Sequence, residues 1–324
     1  MKELAVYKEA LDEVLWKDNF LKEPVNLYAP IEYIVSLGGK RLRPLLTLMT
    51  CDFFGNDFKK AIPAALAVEL FHNFSLIHDD IMDHAPLRRG KQTVHEKWDV
   101  NTGILSGDAM LILAYQYFEH YEPSLFRDLA KLFSKTAIEV CEGQQYDVDF
   151  ETRNNITLPE YIKMIDYKTA VLLGAAMKMG AMVAGTSIEN QEAIYEFGRN
   201  LGIAFQLQDD YLDAFGNPET FGKQVGGDIL SNKKTFLYLK ALEKGTEQEK
   251  EQLKTLFNHA SHNPTEKVTI VKQIFERSGA TVATQKEMQA YTQKSLSYLE
   301  ALELSEDHKE KLRGFAQRLM NRQI

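Results

Sequence analysis

The sequence is poor in cysteine and has no long apolar run. Its two cysteines, Cys51 and Cys141, form no CxxC pair. This argues against a disulfide framework and against a zinc site built from cysteines, and it fits a reducing cytoplasm. Nowhere do 18 apolar residues follow one another, so we predict no membrane span. The N-terminal segment mixes charges throughout and does not resemble a signal peptide. We therefore predict a cytoplasmic protein.

An excess of positive charge is also missing. The 324 residues carry a formal net charge of −8, from 46 acidic and 38 basic residues. Nucleic-acid binding needs a basic surface, so we predict no nucleic-acid partner. Local basic clusters can still bind phosphates on an acidic protein. No linker or repeat divides the chain, and its length supplies a sizeable core, so we predict a single domain over residues 1–324.

The spacing of apolar residues is three and four, and strand signals are nearly absent. Segments 61–77 and 169–186 are apolar almost all round, and segment 196–208 is similar, which predicts buried helices. Segments 244–260 and 285–320 are amphipathic and rich in charge, so we expect them on the outside. The pattern predicts an all-α bundle in which central helices are wrapped by others around a cavity or core.

Two of the buried helices end in aspartate clusters. The clusters comprise Asp79, Asp80 and Asp83 in the first helix and Asp209, Asp210 and Asp213 in the third. Residues four apart share a helix face, so each cluster holds a carboxylate pair about one turn apart. Like charges at a helix C-terminus are destabilising without a counterion. Oxygen ligands without cysteine or histidine favour Mg²⁺, which commonly bridges to substrate phosphates. The alternative is that both clusters are solvated helix ends, which are common, but two DDxxD motifs are rare by chance and rarer still on apolar helices.

Basic residues accompany the aspartates. Lys40 and Arg43 follow Gly38-Gly39 and flank a predicted helix start, which is a ready anion site. Arg88 and Arg89 follow the first aspartate cluster closely. Arginine forks and lysine charges suit a diphosphate. Either motif alone could equally be a surface basic patch.

Glu69 and His72 form an ExxH pair on the first buried helix. A di-iron site needs a second such pair on a partner helix, and no other glutamate has histidine three residues later. The di-iron interpretation therefore fails. Taken alone, His72 is more typical of a hydrogen-bonded core histidine than of a ligand.

Together these motifs resemble those of the short-chain trans-isoprenyl diphosphate synthases, or polyprenyl synthetases, which include farnesyl and geranylgeranyl diphosphate synthases. The motifs stand in the family's order: GGKRLRP at 38–44, ELFHNFSLIHDDIMD at 69–83, LRRG at 87–90, GQQYD at 143–147, DYKTA at 166–170, FQLQDDYLD at 205–213, FGKQVGGDI at 221–229 and NKKT at 232–235. The resemblance implies an isoprenoid-synthase-type bundle around a deep apolar cavity. It also implies a homodimer.

The resemblance assigns roles by position. It implies that Lys40, Arg43, His72 and Arg89 bind the diphosphate of isopentenyl diphosphate, and that Arg88, Lys168, Lys223 and Lys233 contact the allylic diphosphate. Asp79, Asp83 and Asp209 match magnesium ligands, supported by Asp80, Asp210 and Asp213, for three Mg²⁺ ions per active site. Thr169 and Gln206 match polar groups that face the developing allylic cation.

The implied reaction is the Mg-dependent head-to-tail condensation of isopentenyl diphosphate with dimethylallyl, geranyl or farnesyl diphosphate. Charge on the leaving diphosphate is neutralised, and an apolar wall excludes water from the carbocation. Two alternatives remain. A terpene cyclase shares the fold and one aspartate motif, whereas a non-catalytic partner subunit typically loses one motif. Both motifs and the second basic site are intact here.

The resemblance also implies that product length depends on large residues upstream of Asp79. Phe74 lies five residues before Asp79, about 7.5 Å along the axis, and Phe71 about 12 Å, whereas position 75 is the small Ser75. This pattern resembles that of synthases that make the C20 product. We expect geranylgeranyl diphosphate first and farnesyl diphosphate second. The alternative is that both phenylalanines only pack the core.

Overall fold

The computed structural model describes residues 2–17, 20–217, 225–258 and 263–321. Within them the backbone is helical apart from one short antiparallel ladder, β1 Leu87–Arg88 with β2 Lys91–Gln92. This confirms the all-α prediction.

The α-helices, numbered in chain order, are α1 Lys2–Lys17, α2 Val25–Ser36, α3 Leu42–Phe53, α4 Ile62–Met82, α5 Val94–Lys97, α6 Val100–Gln116, α7 Pro123–Thr152, α8 Leu158–Ile165, α9 Val171–Ala184, α10 Ile188–Phe215, α11 Gly227–Leu230, α12 Phe236–Lys244, α13 Glu247–Asn258, α14 Pro264–Arg277, α15 Ala280–Glu300 and α16 Glu306–Met320. Short 3₁₀ turns cover Phe58–Ala61 and Tyr117–His120, and a π-helical turn covers Asp166–Ala170.

The chain forms two compact units. Unit 1 comprises Met1–Thr136 and Ala175–Ile194, and unit 2 comprises Ala137–Gly174 and Tyr195–Ile324. The single domain over residues 1–324 stays a prediction.

Helix α4 is the centre of unit 1. Its residues from Ala64 to Phe71 are all buried, in agreement with the prediction for 61–77. Among the described residues, only the segment Phe58–Met82 is long and apolar enough to cross a membrane, and 67% of its most apolar window is buried inside the protein. Burial of this kind is what a core helix of a globular protein shows.

Helix α9 packs closely on α3 within unit 1. The Thr47 hydroxyl donates a hydrogen bond of 2.9 Å to the Ala176 carbonyl. Gly180 has no room for a side chain, because an added Cβ would meet the backbone oxygen of Thr47 and lie 3.0 Å from Cβ of Thr50. The small residues that made segment 169–186 look buried therefore permit a close helix contact.

Unit 2 has its own apolar core. Phe236, Leu237, Leu253 and Phe275 are buried in it together with Leu207 of α10. Helix α8 begins with a capping box, in which Thr157 and Glu160 satisfy each other's backbone N–H groups. The π-helical turn then follows α8 directly. Such turns occur frequently at functional sites.

We expect Gly180→Ala to lower the free energy of unfolding by about 1–3 kcal/mol, because the new methyl group overpacks the contact with α3. Gly314→Ala is the matched control. Its Cβ would meet only the mobile end of Arg318 at 3.3 Å, so it should gain about 0.5–1 kcal/mol from helix propensity. Urea denaturation of both variants measures the difference. Equal midpoints for the two variants would contradict the close contact.

Candidate functional site

In unit 1, the glycine loop before α3 meets the arginine turn that follows α4. Gly38 and Gly39 have positive φ angles of 71° and 131°, and Arg41 caps α3 at φ 46°. The Arg89 guanidinium donates a hydrogen bond to the Gly38 carbonyl. A Cβ on Gly39 would lie only 2.6 Å from Nη2 of Arg89. Both motifs predicted to bind an anion are therefore adjacent, and Gly39 is required for their contact.

His72 lies among the arginines of unit 1. Burial lowers its pKa well below the usual value, and the positive charges of Arg43, Arg89 and Arg88 lower it further. The imidazole is therefore neutral near pH 7 and can donate or accept a hydrogen bond. The structure places His72 with the basic residues with which it was predicted to act, whereas Lys40 is exposed at the start of α3.

The first aspartate cluster is divided between two environments. Asp80 is 2% exposed and accepts two hydrogen bonds from Arg88, at 2.8 Å from Nε and 2.7 Å from Nη2. Burial raises its pKa, although Arg88 opposes this effect. Asp79 is half-buried, with Oδ2 at 3.8 Å from Arg88, and Asp83 is exposed at the end of α4. Asp80 therefore orients Arg88, while Asp79 and Asp83 remain a turn apart.

In unit 2, the π-helical turn carries Lys168 and Thr169. Lys168 forms an ion pair of 2.6 Å with Asp147, the last residue of GQQYD. The Thr169 hydroxyl donates a hydrogen bond of 3.3 Å to Oε1 of Gln206. An added Cβ on Gly143 would overlap the backbone of Lys168, so the GQQYD motif packs directly on this turn.

The second aspartate cluster is anchored more deeply. Asp210 is 5% exposed, and burial together with the charge of Asp228 raises its pKa to about 8. The Tyr161 hydroxyl donates to one oxygen of Asp210, and Nε2 of Gln206 donates to the other at 3.1 Å.

The outer aspartates of this cluster are less buried. Asp213 accepts a hydrogen bond of 2.9 Å from the Asp228 N–H, whereas Asp209 is half-buried. Both central aspartates, Asp80 and Asp210, are therefore held by the protein itself.

These groups of unit 2 surround one cavity of about 110 Å³. Its lining includes Lys168, Thr169, Gln206, Asp210 and Lys233, all of which were predicted as site residues. The neighbouring Lys234 has a structural role, because it donates to the carbonyls of Phe150 and Glu151 at 3.0 and 2.9 Å. Lys223 lies outside the described residues.

The carboxylates could supply part, but not all, of the coordination shell of a divalent metal. No group of three or more His, Cys, Asp or Glu in the described ranges is arranged to hold a metal ion. Asp79 with Asp83, and Asp209 with Asp213, supply only oxygen and only part of a coordination shell. That is the donor set expected for Mg²⁺, which usually takes one or two carboxylates plus water and substrate phosphate.

The residues predicted to set product length belong to a larger aromatic cluster in unit 1. Phe71 packs on Phe74 and Phe133, with ring centroids 5.5 and 5.2 Å apart. Tyr115 and Phe118 also pack on Phe133. The Ser75 hydroxyl donates to the carbonyl of His72 at 2.8 Å. Phe133, Tyr115 and Phe118 have no sequence signal of their own, because they come from other helices.

Other contributors were also missed from the sequence. Asp147 was inside a recognised motif but received no role. Tyr161 has no motif signal, and only the fold brings it to Asp210.

The chain is similar to known proteins of one family. The polyprenyl synthetase family model matches residues 24–276. A geranylgeranyl diphosphate synthase of Methanosarcina mazei is 44% identical over 238 residues, which are 73% of this chain and 72% of that protein. A geranylfarnesyl diphosphate synthase of Natronomonas pharaonis is 36% identical over 264 residues, covering 76% of this chain and 77% of that protein.

A crystal structure of a geranylgeranyl pyrophosphate synthase superimposes with a TM-score of 0.94, at 54% identity, over 99% of both chains. The aspartate and basic motifs all lie within the matched residues 24–276. The chain belongs to the polyprenyl synthetase family, the isoprenyl diphosphate synthases, and is a prenyltransferase.

Proposed function

We propose that this chain condenses isopentenyl diphosphate head to tail (1'-4) with allylic diphosphates and releases mainly the C20 geranylgeranyl diphosphate, with the C15 farnesyl diphosphate second. The observation that carries the proposal is the pairing of charges in each unit. Each unit holds one aspartate pair and its own set of cationic side chains. Two diphosphate substrates need two such sets of cations. We also propose that residues 1–324 form one catalytic domain, because the proposed reaction uses both sets of cationic side chains.

The basic cluster of unit 1 is proposed to bind the diphosphate of isopentenyl diphosphate. Arg43 and Arg89 supply planar forks for phosphate oxygens, and exposed Lys40 supplies a point charge. Neutral His72 adds a hydrogen bond without adding charge. Arg89 is held in place by the Gly38 carbonyl. This arrangement fixes the substrate so that its double bond has one orientation.

The allylic diphosphate is proposed to be bound by Arg88, Lys168, Lys223 and Lys233. Asp79, Asp83 and Asp209 would hold three Mg²⁺ ions, with Asp80, Asp210 and Asp213 in support. When bound, magnesium would neutralise the charge that develops on the leaving diphosphate. Arg88 is oriented by Asp80, and Lys168 by Asp147, so both cations are already directed before substrate arrives.

Bond cleavage at C1 of the allylic substrate leaves a carbocation, which polar groups of unit 2 are proposed to stabilise. The Thr169 hydroxyl donates to Oε1 of Gln206, and Nε2 of Gln206 donates to Asp210. This chain of hydrogen bonds fixes the orientation of both dipoles, so the remaining lone pairs of the Thr169 oxygen can face positive charge. The isopentenyl double bond then attacks C1, and the adduct loses a proton to the departed diphosphate.

Product length is proposed to depend on Phe74, Phe71 and Ser75. The phenylalanines are 8% and 1% exposed, and both belong to the aromatic cluster with Phe133. A growing chain that runs along α4 from Asp79 would meet Phe74 first. Relatives named for C20 and C25 products support a tunnel of about this depth.

We also propose a cytoplasmic homodimer. Helix α6 exposes large apolar side chains, with Ile104 at 40%, Leu105 at 59% and Ile112 at 60%. Large apolar groups exposed along one helix are typical of a surface that a second copy covers.

Mass spectrometry of the products from isopentenyl diphosphate with each allylic primer and Mg²⁺ tests the proposed function. The expected main product is geranylgeranyl diphosphate. Cyclised hydrocarbons would indicate a terpene cyclase, and no turnover would indicate a non-catalytic subunit. The names of the relatives do not favour either alternative.

We expect Asp79→Ala or Asp209→Ala to lower kcat by about 10²–10³-fold, because each removes a carboxylate of a metal-binding pair. Removal of like charge should leave the melting temperature in EDTA unchanged or higher. Asp128→Ala, at an exposed carboxylate of α7 paired with Arg127, should retain wild-type turnover. A near-normal kcat in either the Asp79 or the Asp209 variant would contradict the assignment of these residues as metal ligands.

Lys40→Ala and Arg43→Ala should raise the KM for isopentenyl diphosphate more than the KM for the allylic substrate. A charge-assisted contact is worth about 1.5–3 kcal/mol, which corresponds to roughly 10–150-fold. Steady-state kinetics with either substrate varied measure both constants, with the exposed Lys59→Ala as control. Equal losses for both substrates would show that these residues do not distinguish the two sites.

Phe74→Ala should lengthen the product, and Phe71→Ala added to it should lengthen the product further, because each change removes a ring from the end of the tunnel. Leu76→Ala is a matched truncation about 200° around the same helix from Phe74, and it should keep the wild-type product. Mass spectrometry of the prenyl diphosphates reads the outcome. If the two phenylalanine variants return the wild-type length, the tunnel ends elsewhere.

A further inference from the structure

Glu69 is a buried acid that the proposed reaction does not use. It lies on α4 and is 3% exposed. Asn73, one turn later and 1% exposed, donates from Nδ2 to Oε1 of Glu69 at 3.0 Å and to its carbonyl at 2.8 Å. Within the part of the chain that the structure describes, Oε2 of Glu69 and Oδ1 of Asn73 have no hydrogen-bond partner. A carboxylate buried in this way needs a compensating charge.

Arginines on two other segments lie near enough to act on Glu69 through their charge. Burial raises the pKa of Glu69, whereas Asn73 and the positive charges of Arg41, Arg89 and Arg43 lower it. The influence is mutual, because burial lowers the pKa of Arg43 and Glu69 is the charge that opposes this change. Nε of Arg43 is itself buried and donates to no partner among the described residues.

Arg41 is also paired with Asp12 at 3.1 Å, whereas Glu69 is the acid that acts on Arg43. Without Glu69, Arg43 would face the other guanidinium groups with no acid of its own. Like charges held together in a poorly solvated place repel, and the arginines would turn toward water. Glu69 is also three residues before His72 and thus on the same side of α4. A carboxylate repels a diphosphate, so a favourable effect of Glu69 on that ligand has to pass through the arginines.

We propose that Glu69 is a positioning residue of the isopentenyl diphosphate subsite, where its carboxylate, held by Asn73, anchors the guanidinium groups of Arg43 and Arg89 for the substrate's diphosphate. This inference rests on the proposed function, which places those arginines at that diphosphate. It gives the ExxH pair a role in organic diphosphate binding rather than in metal binding.

Glu69→Gln tests the proposal, because it keeps the shape and removes the charge. We expect the KM for isopentenyl diphosphate to rise about tenfold or more. The KM for the allylic substrate should stay within about twofold and kcat within about threefold, since neither depends on these arginines. Glu69→Asp keeps the charge and should restore part of the affinity. An unchanged KM for isopentenyl diphosphate, or equal rises for both substrates, overturns the proposal.

A double-mutant cycle separates positioning from general packing. If Glu69 acts through Arg43, Arg43→Gln combined with Glu69→Gln should raise the KM for isopentenyl diphosphate little more than Arg43→Gln alone. Fully additive losses contradict the proposed route. If Glu69→Gln does not fold, as judged by thermal melting, Asn73→Ala takes its place. It keeps the charge but removes the hydrogen bond to Oε1, and it should raise the same KM about threefold. No rise in Asn73→Ala would also overturn the proposal.

Lys40→Ala distinguishes a failure of this inference from a failure of the proposed function. Lys40 is exposed and is not among the charges that act on Glu69. If Lys40→Ala raises the KM for isopentenyl diphosphate and Glu69→Gln does not, the subsite assignment stands and the positioning role is wrong. If neither variant changes this KM, the subsite itself is wrongly assigned.

Discussion

Repulsion between like charges at the ends of buried helices is the constraint on which the rest of this structure depends. Helix α4 ends in Asp79, Asp80 and Asp83, where the helix dipole already disfavours negative charge. Two hydrogen bonds from Arg88 satisfy Asp80. Arg88 lies in β1, directly before the β1–β2 turn, and eight residues after Asp80. The outer pair, Asp79 and Asp83, is the one that we propose for an external cation.

Repulsion between like charges also acts among the arginines of unit 1. Arg41 and Arg89 adopt positive φ angles, and Arg89 lies against glycines that have no side chain to obstruct it. A dense cluster of guanidinium groups forms there, and two acids offset it: Asp12, which is paired with Arg41, and buried Glu69. A cluster of this kind is stable without ligand and still retains excess positive charge for a diphosphate.

Sequence periodicity was sufficient to predict the helices that carry the motifs. Segment 61–77 is apolar all round, and the corresponding part of α4 is buried. The aspartate and glycine–arginine motifs could be identified because their spacing along the chain reflects contacts within one turn or one loop. Tyr161 could not be identified, since it is 49 residues from Asp210 and ordinary for an amphipathic helix. Phe133 was hidden for the same reason, because ring contacts between helices leave no periodic signal.

In both aspartate motifs, the protein itself holds the second aspartate of the DDxxD segment, although the hydrogen-bond donors differ. In a DDxxD segment, the first and fifth residues share a face, and the second lies about 100° away. In both helices that second residue points into the protein. Arg88, a permanent cation, holds Asp80. Tyr161 and Gln206, which are neutral donors, hold Asp210, whose pKa rises to about 8.

Asp80 thus balances a charge that the protein itself supplies, whereas burial and the neighbouring charge of Asp228 raise the pKa of Asp210, which is held by neutral donors. Asp210 also accepts a hydrogen bond from Gln206, which in turn accepts one from Thr169. A change in the charge of Asp210 would therefore alter the strength of both hydrogen bonds. The proposed cation site near α10 and the dipoles proposed to face the allylic carbocation would therefore be linked through one buried carboxyl group.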